Sequence, residues 1–488
     1  MPTSLYWHDY ETTGSDPKCD RPVQFAGVRT DESLQEISEP LVIYCTPPRD
    51  RLPQPEACLL TGITPQFADA HGLIEFEFIT KIHQELAQPN TCGVGYNSLR
   101  FDDEVTRFTL YRNFYDPYAR EWQQGNSRWD LIDVVRMTYA LRPNGIVWPI
   151  NEAGSPSFRL EDLTRSNHLV HDSAHDALSD VRATIQLARL IRNQQPRLYN
   201  WLFELKDKYK VAPLLNLQDH TPIIHTSRMY PAETGCTTLA MPIGQDPKNS
   251  NSILVYDLRY DPSFFLHMTI DELSTHLFTP RTALPENSIR LPIKAVRMNK
   301  CPAIAPKSAL DDASIKRIKL DLPACDQYWK IIKEDKTNFM EKIVKAYSRT
   351  AFEEATDVEL ALYDNFFSSN DQNLIKKVRG TSPTELNNKL FHFSDKRLPE
   401  LLFRFRARNW PETLSTEELQ HWKIHCYNYL TNKSNPNNLT ISEYNETIAI
   451  LRGAYQENRV ASEMLDNIEA WGKNLIREAQ QRTPSCNE

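Results

Sequence analysis

Three short stretches of the chain hold acidic and histidine side chains at spacings that can do chemistry. Asp9-Tyr10-Glu11 closes a β-favouring run that begins at Ser4. Residues two apart on a strand face the same side, so both carboxylates address one point above a sheet. Two carboxylates that close repel unless a cation sits between them, and Mg²⁺ or Mn²⁺ prefers such hard oxygen ligands. The second stretch, Tyr96-Asn97-Ser98-Leu99-Arg100-Phe101-Asp102, follows a strand-like run and opens a helix-like one. Taken alone, Asp102 reads as an acid favoured at a helix N-terminus. The third, His171 to Asp180, puts His175 at a helix start and Asp180 a turn and a half along it. Each stretch is ordinary by itself, because D-x-E triplets and surface helix acids are common. In chain order they make D-x-E, Asp, then H-x₄-D.

The elements that must position these groups follow from hydrophobic periodicity. Ser4–Tyr10, Gln24–Arg29, Pro40–Cys45 and Thr91–Gly95 read as strands. Residues 65–87, 103–112 and 174–191 carry apolar positions at helical spacing, and 193–196 reads as an exit into a linker. Mixed strands and helices in this order predict an α/β sheet with helices packed on it. From about residue 196 to 350, β-favouring runs such as 252–258 and 289–296 alternate with Pro- and Asn-containing turns, with a helix at 314–320. Beyond 355 the strand signal ends. Amphipathic stretches at 358–367, 399–408, 417–430 and 442–479 predict a helical bundle.

The chain has 488 residues, 40% of them hydrophobic and 25% charged. At roughly 150 residues per domain, that length suggests about three globular domains. Lys plus Arg number 56 against 64 Asp plus Glu, a formal charge of −8. Such a balance excludes a surface basic all over, but leaves room for a local basic groove. Glycine is only 14 of 488 residues, and neither a Walker nor a Rossmann pattern occurs, which argues against phosphate binding by a glycine-rich loop. Nine cysteines without a C-x-x-C pair signal neither a disulfide framework nor a zinc site. With no signal-like N-terminus and no apolar run of membrane-spanning length, the expected location is the cytoplasm.

The joint pattern is the four-acid-plus-histidine signature of the DEDDh exonuclease superfamily. The strings HDYETTGSDP, DRPVQFAGVRTD, LTGITPQ, GYNSLRFDDEVTR, NSRWDLIDV, PSFRLEDLT and HDALSDV more closely resemble the bacterial exonuclease I family. IKAVRMNKCPAIAP and KRLPELLFRFRARNWPETL extend the resemblance to nearly the whole chain. It implies a C-shaped protein: a ribonuclease-H-like exonuclease domain over 1–192, an SH3-like β-rich domain over 196–350 and an all-α C-terminal domain over 355–482. It implies 3′-to-5′ degradation of single-stranded DNA into 5′-mononucleotides in DNA repair and recombination. By the same resemblance Asp9, Glu11, Asp102 and Asp180 hold two Mg²⁺ ions, with Mn²⁺ a substitute, Glu11 and His175 also touch the substrate, and His175 is the general base.

Between Tyr96 and Arg165, twelve of seventy residues are aromatic and nine are arginine, with no lysine. Bases stack on aromatic faces without demanding a sequence, and arginine forks match phosphate oxygens. Arg107, Tyr118, Trp122, Arg136 and Arg159 are the expected DNA contacts, with Arg159 orienting the terminal nucleotide. Lys396-Arg397 and the Arg404 to Arg408 run make a second basic cluster that can line a groove. The resemblance also implies a protein partner, the acidic C-terminal tail of single-stranded-DNA-binding protein, with Arg142 and Trp201 as contributors. A monomer and no membrane contact are expected. Two other readings share these residues: an RNA-directed exonuclease of the same superfamily, and a non-catalytic strand-binding module. The two extra domains favour DNA, and all five catalytic positions are filled.

Overall fold

The computed structural model describes residues 3–171, 175–285, 288–349, 354–386, 391–433 and 438–481. The chain divides into two compact units. One comprises Met1–Asn126, Asp172–Arg182 and Glu354–Glu488, the other Ser127–His171 and Ala183–Glu353. The first and last thirds of the sequence thus fold as one body, a grouping that the order of elements along the chain does not reveal.

In the first unit β1 (Ser4–Thr12), β2 (Pro22–Thr30), β3 (Leu41–Tyr44) and β4 (Thr91–Gly95) stand in the order β3-β2-β1-β4. β1 runs antiparallel to β2 and parallel to β4. Every residue of β2 is buried, which its near-continuous apolar sequence requires of a strand covered on both faces. Tyr6, Tyr10 and Phe25 pack against Phe78, Ile82 and Val105 from the helices Glu75–Leu86 and Asp102–Arg112. The helical period over 65–87 is realised as two helices, Pro65–His71 and Glu75–Leu86. They part at Gly72, where a Cβ would lie 2.4 to 2.6 Å from the Ala68 carbonyl and the Cys45–Thr46 backbone. Only glycine allows that approach.

The C-terminal part of this unit is helical: Arg397–Asn409, Thr416–Thr431, Ile441–Ala454 and Arg459–Gln480. Capping boxes at Ser415/Glu418 and Thr440/Glu443 start the second and third of these. The stretch expected over 442–479 is two helices, since Asn458 leaves the helical path and caps the Ala461 amide. Residues 358–367 were expected to be helical, yet only a 3₁₀ turn at Ala361–Tyr363 forms. Their side chains serve tertiary ion pairs instead. Glu359, 1% exposed, accepts from Arg21, Arg408 and, at 3.0 Å, Arg51.

The second unit opens with β5 (Ser127–Asp130) and the helix Leu131–Leu141, capped by Asp130 through the Ile132 amide at 3.0 Å. Its antiparallel sheet has the order β10-β6-β7-β8-β9, formed by β6 (Ile223–Thr226), β7 (Thr237–Gln245), β8 (Ser252–Asp257), β9 (Ile293–Arg297) and β10 (Ala303–Pro306). The linker expected at 193–196 is absent: the helix Ala177–Gln194 is followed after one residue by Pro196–Glu204. Pro196 sits at the first position of the new helix, where its missing N–H costs nothing.

Candidate active site

β1 delivers Asp9 and Glu11 to one place because its register against β2 holds until Glu11 and breaks only between Glu11 and Thr12. Asp180 comes from the first turn of the helix Ala177–Gln194, where the partial positive charge of the N-terminus favours an acid. Carboxylate oxygens of Asp9, Glu11 and Asp180 all lie within 4.8 Å of one another. Asp102 opens its own helix, following Asn97 in a left-handed turn (φ 65°) and a 3₁₀ turn at Ser98–Arg100. It is 3% exposed, and its Oδ1 accepts the Tyr10 amide at 3.1 Å, which ties it to β1 between the two strand acids.

The acids repel one another strongly. Burial, then Asp102, Glu11, Asp180 and Asp176, hold the Asp9 carboxyl well above its usual range. Burial, followed by Asp180, Asp102 and Asp176, pushes Glu11 up to about 8. Beyond the backbone pairing of β1 with β2, neither the Asp9 nor the Glu11 side chain has a hydrogen-bonding or ion-pairing partner among the described residues. A buried set of carboxylate oxygens left uncompensated by the protein is the donor set a divalent cation fits.

His175 and Asp180 are joined through the backbone, the His175 amide donating to Asp180 Oδ2 at 3.2 Å. His175 adopts a left-handed conformation (φ 65°), a shape that a non-glycine residue keeps only where its surroundings hold it. Residues 172–174 of the same string lie outside the described residues. Two residues unmarked at the sequence level belong to the site. Gln24, 2% exposed and opposite Glu11 in the β1–β2 register, donates to Asp176 Oδ1 at 3.3 Å and to Tyr44 Oη at 3.2 Å. It also accepts the Ala177 amide at 3.4 Å, so one amide group fastens the catalytic-helix start to the sheet. Asp176 caps that helix through the Ser179 amide at 3.1 Å. An acid three residues before Ser179 was the available signal for it. Behind the site, Arg120 binds Asp103 at 2.6 Å, and burial lowers the nearby His8 to about 4.

The expected nucleic-acid contacts divide. Trp122 is 66% exposed and Tyr118 is half-buried. Arg159 projects from the second unit with its side chain 70% exposed, paired with Glu161 at 3.0 Å. Arg107 does not fit the role expected of it. It is 7% exposed, its Nε and Nη2 donate to Glu121 at 2.7 Å each, and Nη1 donates to Glu104 at 2.9 Å and Tyr363 at 3.0 Å. Four of its five N–H groups are thus engaged within the protein. Arg136 is likewise enclosed, bound to Asp133 at 2.7 Å and lying over the Phe158 ring. The second basic cluster is spent in the same way: Arg404 on Asp357 and Glu400, Arg406 on Glu418, Arg408 on Asp50 and Glu359, and Arg397 on Asp395. This one helix thus turns its arginines to acids of the fold.

Within the second unit, Arg142 and Trp201 do meet, lining a cavity of about 450 Å³ with Arg197, Leu198, Pro196 and Ala305. Trp201 Nε1 donates to the Ile304 carbonyl at 2.9 Å, which fixes the indole in the wall.

Known proteins match the chain over nearly its whole length. Residues 6–188 match the exonuclease family model, 206–349 the exonuclease I SH3-like domain and 356–475 the exonuclease I C-terminal domain. The chain is 42% identical over 463 residues to exodeoxyribonuclease I of Escherichia coli, covering 93% of this chain and 97% of that one. Against the Haemophilus influenzae exodeoxyribonuclease I it is 39% identical over 476 residues, 97% of this chain and 99% of the other. Among solved structures, exonuclease I of Methylocaldum szegediense superposes with a TM-score of 0.93 at 45% identity, covering 97% and 100% of the two chains. The E. coli enzyme in complex with a dA16 oligonucleotide gives 0.93 at 41%, with the same coverage. An exonuclease I in complex with SSB-Ct gives 0.91 at 39%, covering 98% and 100%. No described helix is long and apolar enough to cross a membrane. Matched by these family models and relatives over nearly its whole length, the chain belongs to the exonuclease I family of exodeoxyribonucleases.

Proposed function

We propose that the chain is a single-strand-specific 3′-to-5′ exodeoxyribonuclease that releases 5′-mononucleotides and acts in DNA repair and recombination. The observation that carries this reading is the meeting of Asp9, Glu11 and Asp180 within 4.8 Å at the end of β1. Asp9, Glu11, Asp102 and Asp180 are the residues to hold two divalent ions, with Mg²⁺ the cellular ion and Mn²⁺ a substitute. When bound, such a pair supplies Lewis-acid activation and offsets charge on the attacking and leaving oxygens. Glu11 bounds the pocket for the terminal phosphate. His175 accepts the proton of the attacking water, and the His175 amide keeps Asp180 aimed at the same point. Asp102 holds β1 in register through Tyr10. Tyr118 and Trp122 offer stacking faces, and Arg159 offers an exposed guanidinium to a phosphate.

The E. coli and SSB-Ct complexes support DNA and the acidic tail of single-stranded-DNA-binding protein as partners. The Arg142–Trp201 cavity pairs a cation with an apolar wall, which suits an acidic peptide end. Among the described residues eight cysteines are free, seven of them buried, which suits the reducing cytoplasm. A monomer is sufficient for this reading. Digestion of matched single-stranded DNA, duplex DNA and RNA in Mg²⁺ tests it: mononucleotides from single-stranded DNA support it, and a preference for RNA overturns it.

A further inference from the structure

The helix Asp102–Arg112 carries a second acid in its first turn, Asp103, which stands outside the Asp9, Glu11 and Asp180 set. Strand alternation puts His8 and Tyr10 on the face of β1 opposite Asp9 and Glu11. Asp103 lies on the His8 side, its Oδ1 3.9 Å from His8 Nε2 and 2.6 Å from Arg120 Nη2. A Cβ on Gly93 of β4 would stand 3.5 Å from Arg120 Nη1 and 3.7 Å from His8 Cε1, so both side chains cover one point of the sheet. The Arg120 and Asp103 side chains are 1% and 2% exposed.

These contacts close a loop of bonds behind the site. Arg120 sits in the 3₁₀ turn Ala119–Glu121, and its carbonyl accepts Asn126 Nδ2 at 3.3 Å. Asn126 Oδ1 accepts the Thr91 amide at 2.9 Å, where β4 begins. β4 runs parallel to β1, and from β1 the Tyr10 amide returns to Asp102, the neighbour of Asp103 in the chain. The turn is thus tied to the sheet, and Arg120 reaches from it to the first turn of the helix. Consecutive helical residues lie about 100° apart around the axis. Holding Asp103 against a fixed arginine therefore sets the direction in which Asp102 points.

The pair is poorly built for stability alone. Arg120 Nε and Nη1 are buried without a hydrogen-bond partner, and the other nearby acid, Glu121, is 3.9 Å away and takes Arg107 at 2.7 Å. Apolar residues of similar volume often match or exceed the stability of a buried ion pair. A directional hydrogen bond fixes one geometry, which apolar contact does not. We propose that Arg120 and Asp103 are positioning residues of the exonuclease site, their buried pair setting the rotation of the helix start and so the aim of the Asp102 carboxylate. The proposal rests on the exonuclease reading, in which Asp102 is a metal ligand.

The test measures Mn²⁺ binding to the full-length protein by calorimetry, without DNA, and urea unfolding in EDTA. Wild type is compared with Arg120→Met/Asp103→Leu and with Arg120→Lys. The double variant removes the anchor without leaving a charge buried and alone, so it separates positioning from packing. Expected is a fall in Mn²⁺ affinity of about ten- to one-hundred-fold with an unfolding midpoint close to wild type. At saturating Mn²⁺, kcat on single-stranded DNA should fall while KM holds. Arg120→Lys keeps a cation against Asp103 but shifts its donor, and carries the test if the double variant does not fold; its Mn²⁺ affinity should lie between the two. Wild-type Mn²⁺ affinity in the folded variants overturns the proposal and leaves the pair a packing element. Absence of Mn²⁺ binding or of single-strand digestion in the wild type would instead overturn the exonuclease reading, so the two failures are distinct.

Discussion

Replacing Asp180 by Asn is expected to stabilise the metal-free protein above neutral pH and to destabilise it, relative to wild type, once divalent ions are present. Glu11 is 8% exposed and is held at about 8, first by burial and then by Asp180 ahead of the other acids. Each pKa unit corresponds to about 1.4 kcal/mol, so relieving one of several like charges returns on the order of 1 to 2 kcal/mol. Asparagine keeps an oxygen for the His175 amide, so the variant removes charge without removing the hydrogen bond. A carboxyl raised in the folded state binds more protons there than in the unfolded chain between about pH 4.5 and 8. Stability of the metal-free wild type therefore falls as pH rises through that window, and the variant falls less steeply. Below it the acids are protonated in both proteins and the difference closes. Urea unfolding in EDTA from pH 5 to 8.5, repeated with Mg²⁺ or Mn²⁺, reads both effects. Bound ions stabilise the folded state in proportion to their affinity, so wild type gains more than the variant. If Asp180→Asn is less stable than wild type in EDTA at every pH, the carboxylates do not repel as described and the metal assignment loses its physical basis.

Four further substitutions separate structural from functional side chains. Gln24→Ala removes the amide that fastens Asp176 and Ala177 to β2, and should lower kcat about ten- to one-hundred-fold, by analogy with outer-shell partners of metal ligands, with little change in KM. Steady-state digestion across a metal titration checks this, since a shift in metal dependence distinguishes positioning from general weakening. Arg107→Ala should cost about 3 to 5 kcal/mol of stability because it leaves Glu121 and Glu104 without their buried partner. Arg159→Ala, at an exposed position, should leave the unfolding midpoint within about 0.5 kcal/mol and act on DNA affinity instead. Arg142→Ala should weaken capture of a labelled acidic C-terminal peptide about ten-fold, read by anisotropy.

Much of the site was legible because strand and helix periodicity act locally. The two-residue spacing of Asp9 and Glu11 and the helix starts at Asp102 and Ala177 follow from neighbours in the chain. What was not legible depends on long-range pairing. Arg107, Arg136, Arg404 and Arg408 looked like phosphate ligands because a charge run does not state its counter-charges. Glu121, Asp133, Asp357 and Asp50 consume them in the fold. The missing helix at 358–367 has the same origin, with Glu359 and Tyr363 committed to arginines far away in sequence. Gln24 was invisible because a strand glutamine carries no chemical signature until the register sets it opposite Glu11.

Digestion of a 3′-labelled oligonucleotide by wild-type and Asp180→Asn protein, with and without Mg²⁺, tests the central claim most directly. The account predicts labelled mononucleotide as the first product, from single strands only, in wild type with metal, and a loss of at least about a thousand-fold in the variant while binding persists. Internal cleavage, metal-independent release or an active variant would contradict it.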